Sequence, residues 1–139
     1  MEIKFSIETT PIGKGRPRFA RVSNFVKTYT PQKTKDYEEI ILWAWKAQSN
    51  KSFSEKTPLK MEILAEFEIP KTQIKKKTPF NEAHMKKPDC DNLAKTIMDA
   101  LNGNAYKDDA QIVELCIKKK YSTKDCVTVK ISTAEEYYV

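Results

Sequence analysis

Histidines, cysteines and long apolar runs are scarce in this sequence, and each shortage excludes a class of protein. Only one histidine, His84, is present, which rules out a zinc site built on histidines and a mechanism with two imidazoles. The 3 cysteines are odd in number and form no Cys-x-x-Cys pair, which disfavours disulfide and zinc frameworks. No apolar run approaches the roughly 20 residues of a membrane helix. Any hydrolytic chemistry must therefore depend on carboxylates and lysines.

Length and composition predict a single soluble domain. The 139 residues suit one hydrophobic core, so we expect one domain over residues 1–139. The segment Met1–Phe5 has neither the basic stretch nor the apolar core of a signal peptide, so we expect a cytoplasmic protein with no membrane partner.

Charge is distributed unevenly along the chain, although the net charge is only +6. Residues 1–35 and 71–87 are rich in basic side chains, whereas the charged side chains of residues 88–116 are mostly acidic. Basic segments hold a phosphate backbone, and clustered carboxylates repel it unless a divalent cation lies between them. The pattern favours a nucleic-acid hydrolase. The alternative is a basic protein with solvated charged faces.

Hydrophobic periodicity predicts an α+β fold with a mixed, largely antiparallel sheet and two main helices. The expected order is β-β-β-α-β-α-β-β. Residues 19–29 are predicted to form two short strands that turn at Ser23-Asn24, and residues 112–132 a closing antiparallel hairpin. Residues 71–87 are predicted to be a mobile basic loop that DNA could order.

The two helices are predicted from caps and apolar spacing. The first should run from the N-cap Thr30 to about Ser49, and the second should cover residues 92–102. The two tryptophans of the first helix, Trp43 and Trp45, are interpreted as packing aromatics rather than base-stacking groups. The other side chains predicted to be buried on this helix are Tyr37, Ile40, Ile41 and Ala44.

Paired aspartates precede the second helix. Pro88 disfavours helical geometry at the residue before it, so the chain should enter this region extended. Asp89 and Asp91 would then project to the same side, with Asp91 as the N-cap of the helix. Lys95 would lie one helical turn beyond Asp91.

A second acidic pair, Asp108 and Asp109, follows the helix and could supply a third metal ligand. Oxygen ligands suit Mg²⁺ or Mn²⁺, and a bound ion would assist phosphodiester hydrolysis. Lys95 could stabilise the charge that grows on the scissile phosphate or position the attacking water.

Each of these residues also has a plain structural interpretation. An isolated Asp91 is typical of a helix cap, and Asp108-Asp109 is typical of a solvated turn. Lys95 could simply pair with Asp91 or Asp99 on the helix surface, and we interpret Asp99 as a member of a structural ion pair.

The run Asp89-x-Asp91-Asn92-Leu93-x-Lys95-x-x-x-Asp99-Ala100-Leu101, followed by Asp108-Asp109-x-Gln111, resembles the motif of the RusA family of Holliday junction resolvases. The loop Lys14-Gly15-Arg16-Pro17-Arg18-Phe19 is similar to the N-terminal basic motif of Gram-positive and phage members. The resemblance implies a RusA-like, homodimeric, magnesium-dependent endonuclease that nicks four-way DNA junctions symmetrically. It also implies that Asp89, Asp91 and Asp109 bind the metal with support from Asp108, and that Lys95 is catalytic.

We therefore predict a crossover junction endodeoxyribonuclease of recombination and repair, of a type often encoded by prophages. Its cofactor would be Mg²⁺, with Mn²⁺ able to substitute, and no organic cofactor is expected. A two-fold dimer would supply two sites for two matched nicks. The predicted DNA-backbone contacts are Lys14, Arg16, Arg18, Lys75, Lys76 and Lys77.

Two other functions are alternatives to this one. A non-catalytic nucleic-acid-binding module would show a steep salt dependence and no need for divalent ions. A nucleotide-sugar transferase is disfavoured because the chain is too short and has no Gly-rich strand-loop-helix to hold a nucleotide.

Overall fold

The structure, a computed structural model, describes residues 1–15, 17–74 and 82–137. Two one-turn 3₁₀ helices, Asp109–Gln111 and Glu135–Tyr137, accompany the main elements. These main elements are β1 (Glu2–Ile7), β2 (Arg18–Val22), β3 (Phe25–Tyr29), α1 (Gln32–Gln48), β4 (Leu59–Glu68), the short α2 (Lys71–Ile74), α3 (Cys90–Leu101), β5 (Ile112–Ser122) and β6 (Cys126–Thr133). The order of the main elements and the α+β class are confirmed. Within the described ranges, no helix is both long and apolar enough to cross a membrane.

The central sheet has the strand order β1-β6-β4-β5. Strand β4 pairs antiparallel with β6 and parallel with β5, so the predicted hairpin of the last two strands is wrong. The 10 residues of β4 alternate in burial, and the strand bonds to a neighbour along both edges. Next-but-one strands lie only about 10 Å apart, so the short connection after Ser122 can step over the end of β4. There the Glu68 amide donates to Asp125 Oδ1 at 2.8 Å.

Helices α1 and α3 pack together with the inner face of this sheet to form the main core. Every apolar position predicted for α3 at Leu93, Ile97 and Leu101 is buried, as expected for an amphipathic helix. On α1 the buried stripe consists of Thr34, Tyr37, Ile41 and Trp45.

The predictions for α1 need three corrections. Ile40 is 45% exposed, because it lies about 100° around the helix from Ile41 and so falls outside the buried stripe. Trp43 is also exposed, at 66%, with Lys46 Nζ 5.2 Å from its ring centre, whereas Trp45 packs as predicted. Pro31, not Thr30, occupies the N-cap position, and no side chain caps the helix there.

The segment predicted as one basic loop has structure at both of its ends. Lys71–Ile74 forms the short helix α2, and Ala83 makes a β-bridge with Lys120 of β5. The backbone N–H of Tyr121 also donates to Glu82 O at 2.8 Å. The prediction of a continuous mobile loop is therefore wrong for these parts, while Lys75, Lys76 and Lys77 lie outside the described residues.

Candidate active site

Asp89 stands at the N-cap position of α3 but does not cap it. Its backbone is extended, with φ −72° and ψ 154°, and its side chain makes no capping hydrogen bond. Instead, Asp89 Oδ2 accepts a hydrogen bond from Lys87 Nζ at 2.7 Å. That bond, together with the charge of Lys87 and of Lys119, lowers the pKa of the exposed Asp89 carboxyl group. Asp89 is thus an ionised carboxylate open to solvent at neutral pH.

Asp91 lies in the first turn of α3, because the helix begins at Cys90 rather than at Asn92. The predicted pairing of Asp89 and Asp91 on one side of an extended segment is therefore wrong, since extended geometry ends at Asp89. Asp91 Oδ1 accepts from the backbone N–H of Asn92 at 3.0 Å, and the side chain is exposed. Negative charge in the first turn of a helix is stabilised by the unpaired backbone N–H groups there.

Lys95 is exposed one turn along α3 from Asp91. It forms no salt bridge with any residue that the structure describes, so the proposed surface pair with Asp91 or Asp99 is not observed. Burial and neighbouring carboxylates raise the pKa of Asp109, and the charge of Lys95 partly offsets that rise. Lys95 therefore offers a solvent-facing cation between the two acidic segments.

The turn after α3 is fixed by a capping box. Asp108 Oδ1 accepts from the Ala110 amide at 3.1 Å, and Gln111 Oε1 accepts from the Asp108 amide at 3.1 Å. Gln111 Nε2 also donates to the carbonyl oxygens of Ser54 and Thr57, which ties the turn to the loop before β4. Asp108 and Gln111 are thus structural members of the motif, and they hold the backbone of the intervening Asp109 in place.

Asp109 is anchored to the C-terminal end of α3. Its backbone N–H donates to Asn102 Oδ1 at 3.0 Å, and Tyr106, buried below it, donates its hydroxyl to Met98 O at 2.8 Å. Burial, a hydrogen bond with Asp108 and the charges of Asp108 and Asp99 raise the pKa of Asp109. Carboxylates that repel one another in this way are stabilised by a cation, so Asp109 and its neighbour Asp108 are chemically suited to face a hard divalent metal.

One chain does not bring the three predicted metal ligands together. Asp91 lies at the start of α3, while Asp109 is bonded to Asn102, about 16 Å farther along the helix axis at 1.5 Å per residue. Magnesium ligands stand only about 2.1 Å from the ion. Accordingly, among the residues with described positions, no three Asp, Glu, His or Cys side chains are close enough to hold a metal.

Comparison with known proteins identifies the family. A sequence model described as "Endodeoxyribonuclease RusA" matches residues 8–132. This chain belongs to the RusA family. It is therefore an endonuclease, a hydrolase, and not a non-catalytic nucleic-acid-binding module.

Two relatives cover almost the whole of this RusA-family chain. It is 33% identical over 136 residues to the uncharacterised protein YqaN of Bacillus subtilis (strain 168), covering 93% of this chain and 94% of that one. It is 25% identical over 132 residues to a protein of Lactococcus phage r1t named crossover junction endodeoxyribonuclease rusA, covering 94% and 96%. Enzymes of the RusA family are metal-dependent in general.

The N-terminal motif of this RusA-family chain packs against both helices. Lys14 Nζ forms ion pairs with Glu38 of α1 and, at 3.0 Å, with Asp99 of α3, and its side chain is only 16% exposed. Burial alone would lower the pKa of Lys14, but its bonds to the two carboxylates raise it. The structural ion pair predicted for Asp99 is thus present, with Lys14 as the partner. Lys14 faces inward, and little of its ammonium group is left for a phosphate.

Two glycines allow this close approach. A Cβ atom on Gly15 would lie 2.5 Å from Thr34 Oγ1, the atom that accepts the Gly15 amide hydrogen bond. A Cβ atom on Gly13 would lie 3.0 Å from Pro88 Cβ, beside the start of α3. The loop therefore supports the segment that carries Asp89 and Asp91. Arg16 lies outside the described residues, and Arg18 is exposed at the start of β2.

Sequence reasoning missed the lysines that surround Asp89. Lys119 of β5 donates to Lys86 O at 2.6 Å and contributes to the lowered pKa of Asp89. It also lowers the pKa of His84, for which burial is the larger cause; His84 is stacked on Phe67 with ring centres 3.6 Å apart. No local pattern could have revealed Lys119, because it reaches this place through the pairing of β4 with β5.

Proposed function

We propose that this RusA-family endonuclease resolves four-way DNA junctions by magnesium-dependent hydrolysis, as a homodimer that makes symmetric paired nicks. The observation that carries the proposal is the set of exposed side chains Asp89, Asp91 and Lys95 in and just before the first turns of α3, with Asp109 in the turn after this helix, in a chain of this family. The phage relative named as a crossover junction endodeoxyribonuclease supports the choice of substrate. The protein would act in the cytoplasm, on intermediates of DNA recombination and repair.

Asp89, Asp91 and Asp109 would hold the Mg²⁺ ion, for which Mn²⁺ could substitute. When bound, the ion would polarise a phosphoryl oxygen and lower the pKa of a bound water. Lys95 would act directly on the substrate, because an exposed ammonium group near the carboxylates stabilises the negative charge that develops on the phosphate. Asp108 would act through the capping box that orients the Asp109 backbone.

The separation of Asp91 and Asp109 within one chain supports a site shared between two copies. If two α3 helices lie antiparallel about a two-fold axis, the Asp91 end of each helix meets the Asp109 end of the other. Two equivalent acidic sites then form, and each takes carboxylates from both chains. Two such sites per dimer match the two nicks that symmetric resolution requires.

The test is cleavage of a labelled synthetic four-way junction and of a matched linear duplex, with and without Mg²⁺. We expect paired nicks in the junction only, and only with the metal. Asp91→Asn should abolish cleavage, because it removes a negative charge from the proposed metal site. It should retain junction binding in EDTA, because asparagine keeps the size and shape of the aspartate side chain. Asp36→Asn, an equivalent change at an exposed position on α1, is the matched control and should cleave normally. Equal cleavage of the linear duplex would contradict the proposal.

A further inference from the structure

In the hairpin of β2 and β3, neither face is buried by the residues that the structure describes. The two strands form a sheet of their own, joined by a turn at Ser23-Asn24 as predicted, with Ser23 at φ 55°. Every residue of β3 is exposed, and in β2 only Ala20 is half-buried. An isolated two-stranded hairpin is marginally stable in water, so an exposed one gains its stability on contact with a partner.

The exposed side chains of this hairpin are unusually apolar. The exposed fractions are 73% for Phe19, 50% for Val22, 73% for Phe25, 67% for Val26 and 45% for Tyr29. Val22 and Phe25 are paired directly across the strands next to the turn, so the tip of the hairpin is apolar. Exposed apolar patches of this kind mark binding surfaces.

The charges of the hairpin indicate which kind of partner it binds. Arg18, Arg21 and Lys27 lie among the apolar residues, and residues 18–29 contain no aspartate or glutamate. The register puts Lys27 opposite Ala20 and Arg21 opposite Val26, so each face of the hairpin carries basic groups. A surface with aromatic rings and only positive charge complements a nucleic acid, which offers base faces and phosphates together.

We propose that the β2–β3 hairpin is the element that recognises the branch point of the DNA, where bases can be unstacked. This inference rests on the proposed function and names the part of the substrate that the enzyme reads. Phe25 at the tip stacks on a base exposed at the crossover, from the face of the hairpin that it shares with Lys27, while Phe19 and Arg21 contact the DNA from the opposite face. Lys27 and Arg21 thus contact flanking phosphates on the two sides of the inserted hairpin. Insertion at a branch costs less than insertion into a duplex, because fewer stacked pairs must be separated.

The test uses Phe25→Ala and Phe19→Ala, with Trp43→Ala as the control. Trp43 is an equally exposed aromatic residue, at 66%, but it lies on α1. The probe is a synthetic four-way junction with 2-aminopurine at the branch point, titrated in EDTA so that no strand is cut. We expect Phe25→Ala to weaken junction binding about tenfold and to lose most of the fluorescence change. Binding to linear duplex and the behaviour of Trp43→Ala should stay unchanged.

A second variant tests the phosphate contacts. Lys27→Gln should reduce the slope of log K against log salt by about one, with the fluorescence change retained. Phe25→Ala and Trp43→Ala proteins that behave alike in both assays would overturn the inference. So would conversion of a wild-type dimer to monomers by Phe25→Ala in light scattering, because the hairpin would then bind a second copy.

Failure of the proposed function would look different. In that case the wild-type protein would leave the junction intact in Mg²⁺, whatever the hairpin variants do. A wild-type fluorescence change that requires Phe25 would support branch-point recognition even then. If the wild-type protein cleaves the junction normally and Phe25→Ala binds the junction as well as wild type does, only the inference about the hairpin is contradicted.

Discussion

The proposed site shared between two chains makes a prediction for mixed dimers. Asp91→Asn and Asp109→Asn homodimers should both be inactive, since each lacks one carboxylate in both sites. A heterodimer of the two variants has one site with both substitutions and one site with neither, if each site takes Asp91 from one chain and Asp109 from the other. If each site belongs to a single chain, both sites of the same heterodimer are damaged.

The expected cleavage rate of the heterodimer follows from its number of intact sites. The heterodimer should nick a junction at about half the wild-type rate per dimer, because one of its two symmetric sites is intact. Its products should carry single nicks, since the second cut has no catalyst. The physical basis is the rise of about 16 Å along α3 between Asp91 and Asn102, the residue to which the Asp109 backbone is hydrogen-bonded.

The assay uses two different affinity tags and tandem purification, so that only heterodimers are measured. The label is placed on one strand at a time, and nicking is followed in Mg²⁺. A heterodimer of wild-type and Asp91→Asn chains is the control, because it keeps one intact site under either arrangement. A mixed-variant heterodimer as inactive as its parents, beside an active control, would refute the shared site.

Four further predictions concern single substitutions. Lys95→Ala should reduce the cleavage rate about 100-fold with junction binding in EDTA unchanged, and an equal loss of binding would contradict its role at the phosphate. Gln111→Ala should lower the free energy of unfolding in urea by about 1–2 kcal/mol, because the capping box and the bonds to Ser54 and Thr57 are lost; no change would show that the turn holds without them. Leu101→Ala, at a fully buried position, should cost about 2–5 kcal/mol in the same experiment, and a cost below that of Gln111→Ala would argue against its place in the core. Lys14 has a pKa raised above 10.5, so its stabilising charge is fully present below that pH and is lost as the pH rises through the higher folded value. The difference in Tm between wild type and Lys14→Met should therefore be constant from about pH 7 to 9 and shrink at more alkaline pH.

Local sequence predicted the elements of the fold better than their partners. The spacing of Leu93, Ile97 and Leu101 identifies α3 and its buried face because a helix repeats within a few residues. The alternation of apolar and polar residues over 112–132 identifies two strands. It carries no information about which strand lies between them. β4 separates them because both of its edges are free to pair, which is a property of the whole sheet.

In the candidate site, too, local sequence predicted which residues lie near each other along the chain but not their partners from distant segments. The motif placed Asp91, Lys95 and Asp109 on or beside α3, since neighbours along the chain stay neighbours in the fold. The partners of Lys14 could not be predicted, because Glu38 and Asp99 are brought to it by the packing of α1 on α3. The exposure of the β2–β3 hairpin was equally hidden, because apolar residues in short strands ordinarily indicate burial.

In the proposed dimer, the length of helix α3 sets the spacing between the acidic groups at its two ends. Asp91 lies in its first turn and the Asp109 backbone is hydrogen-bonded to Asn102 at its other end, so the helix holds these two attachment points about 16 Å apart along its axis in one chain. In an antiparallel pair of copies, however, the start of one helix stands beside the end of the other, so the same length brings the carboxylates together. If the proposed shared site is correct, a monomer would bind the metal poorly and an isolated chain would not cut DNA. Activity would thus depend on a two-fold assembly, which presents two sites at once to a substrate that needs two cuts.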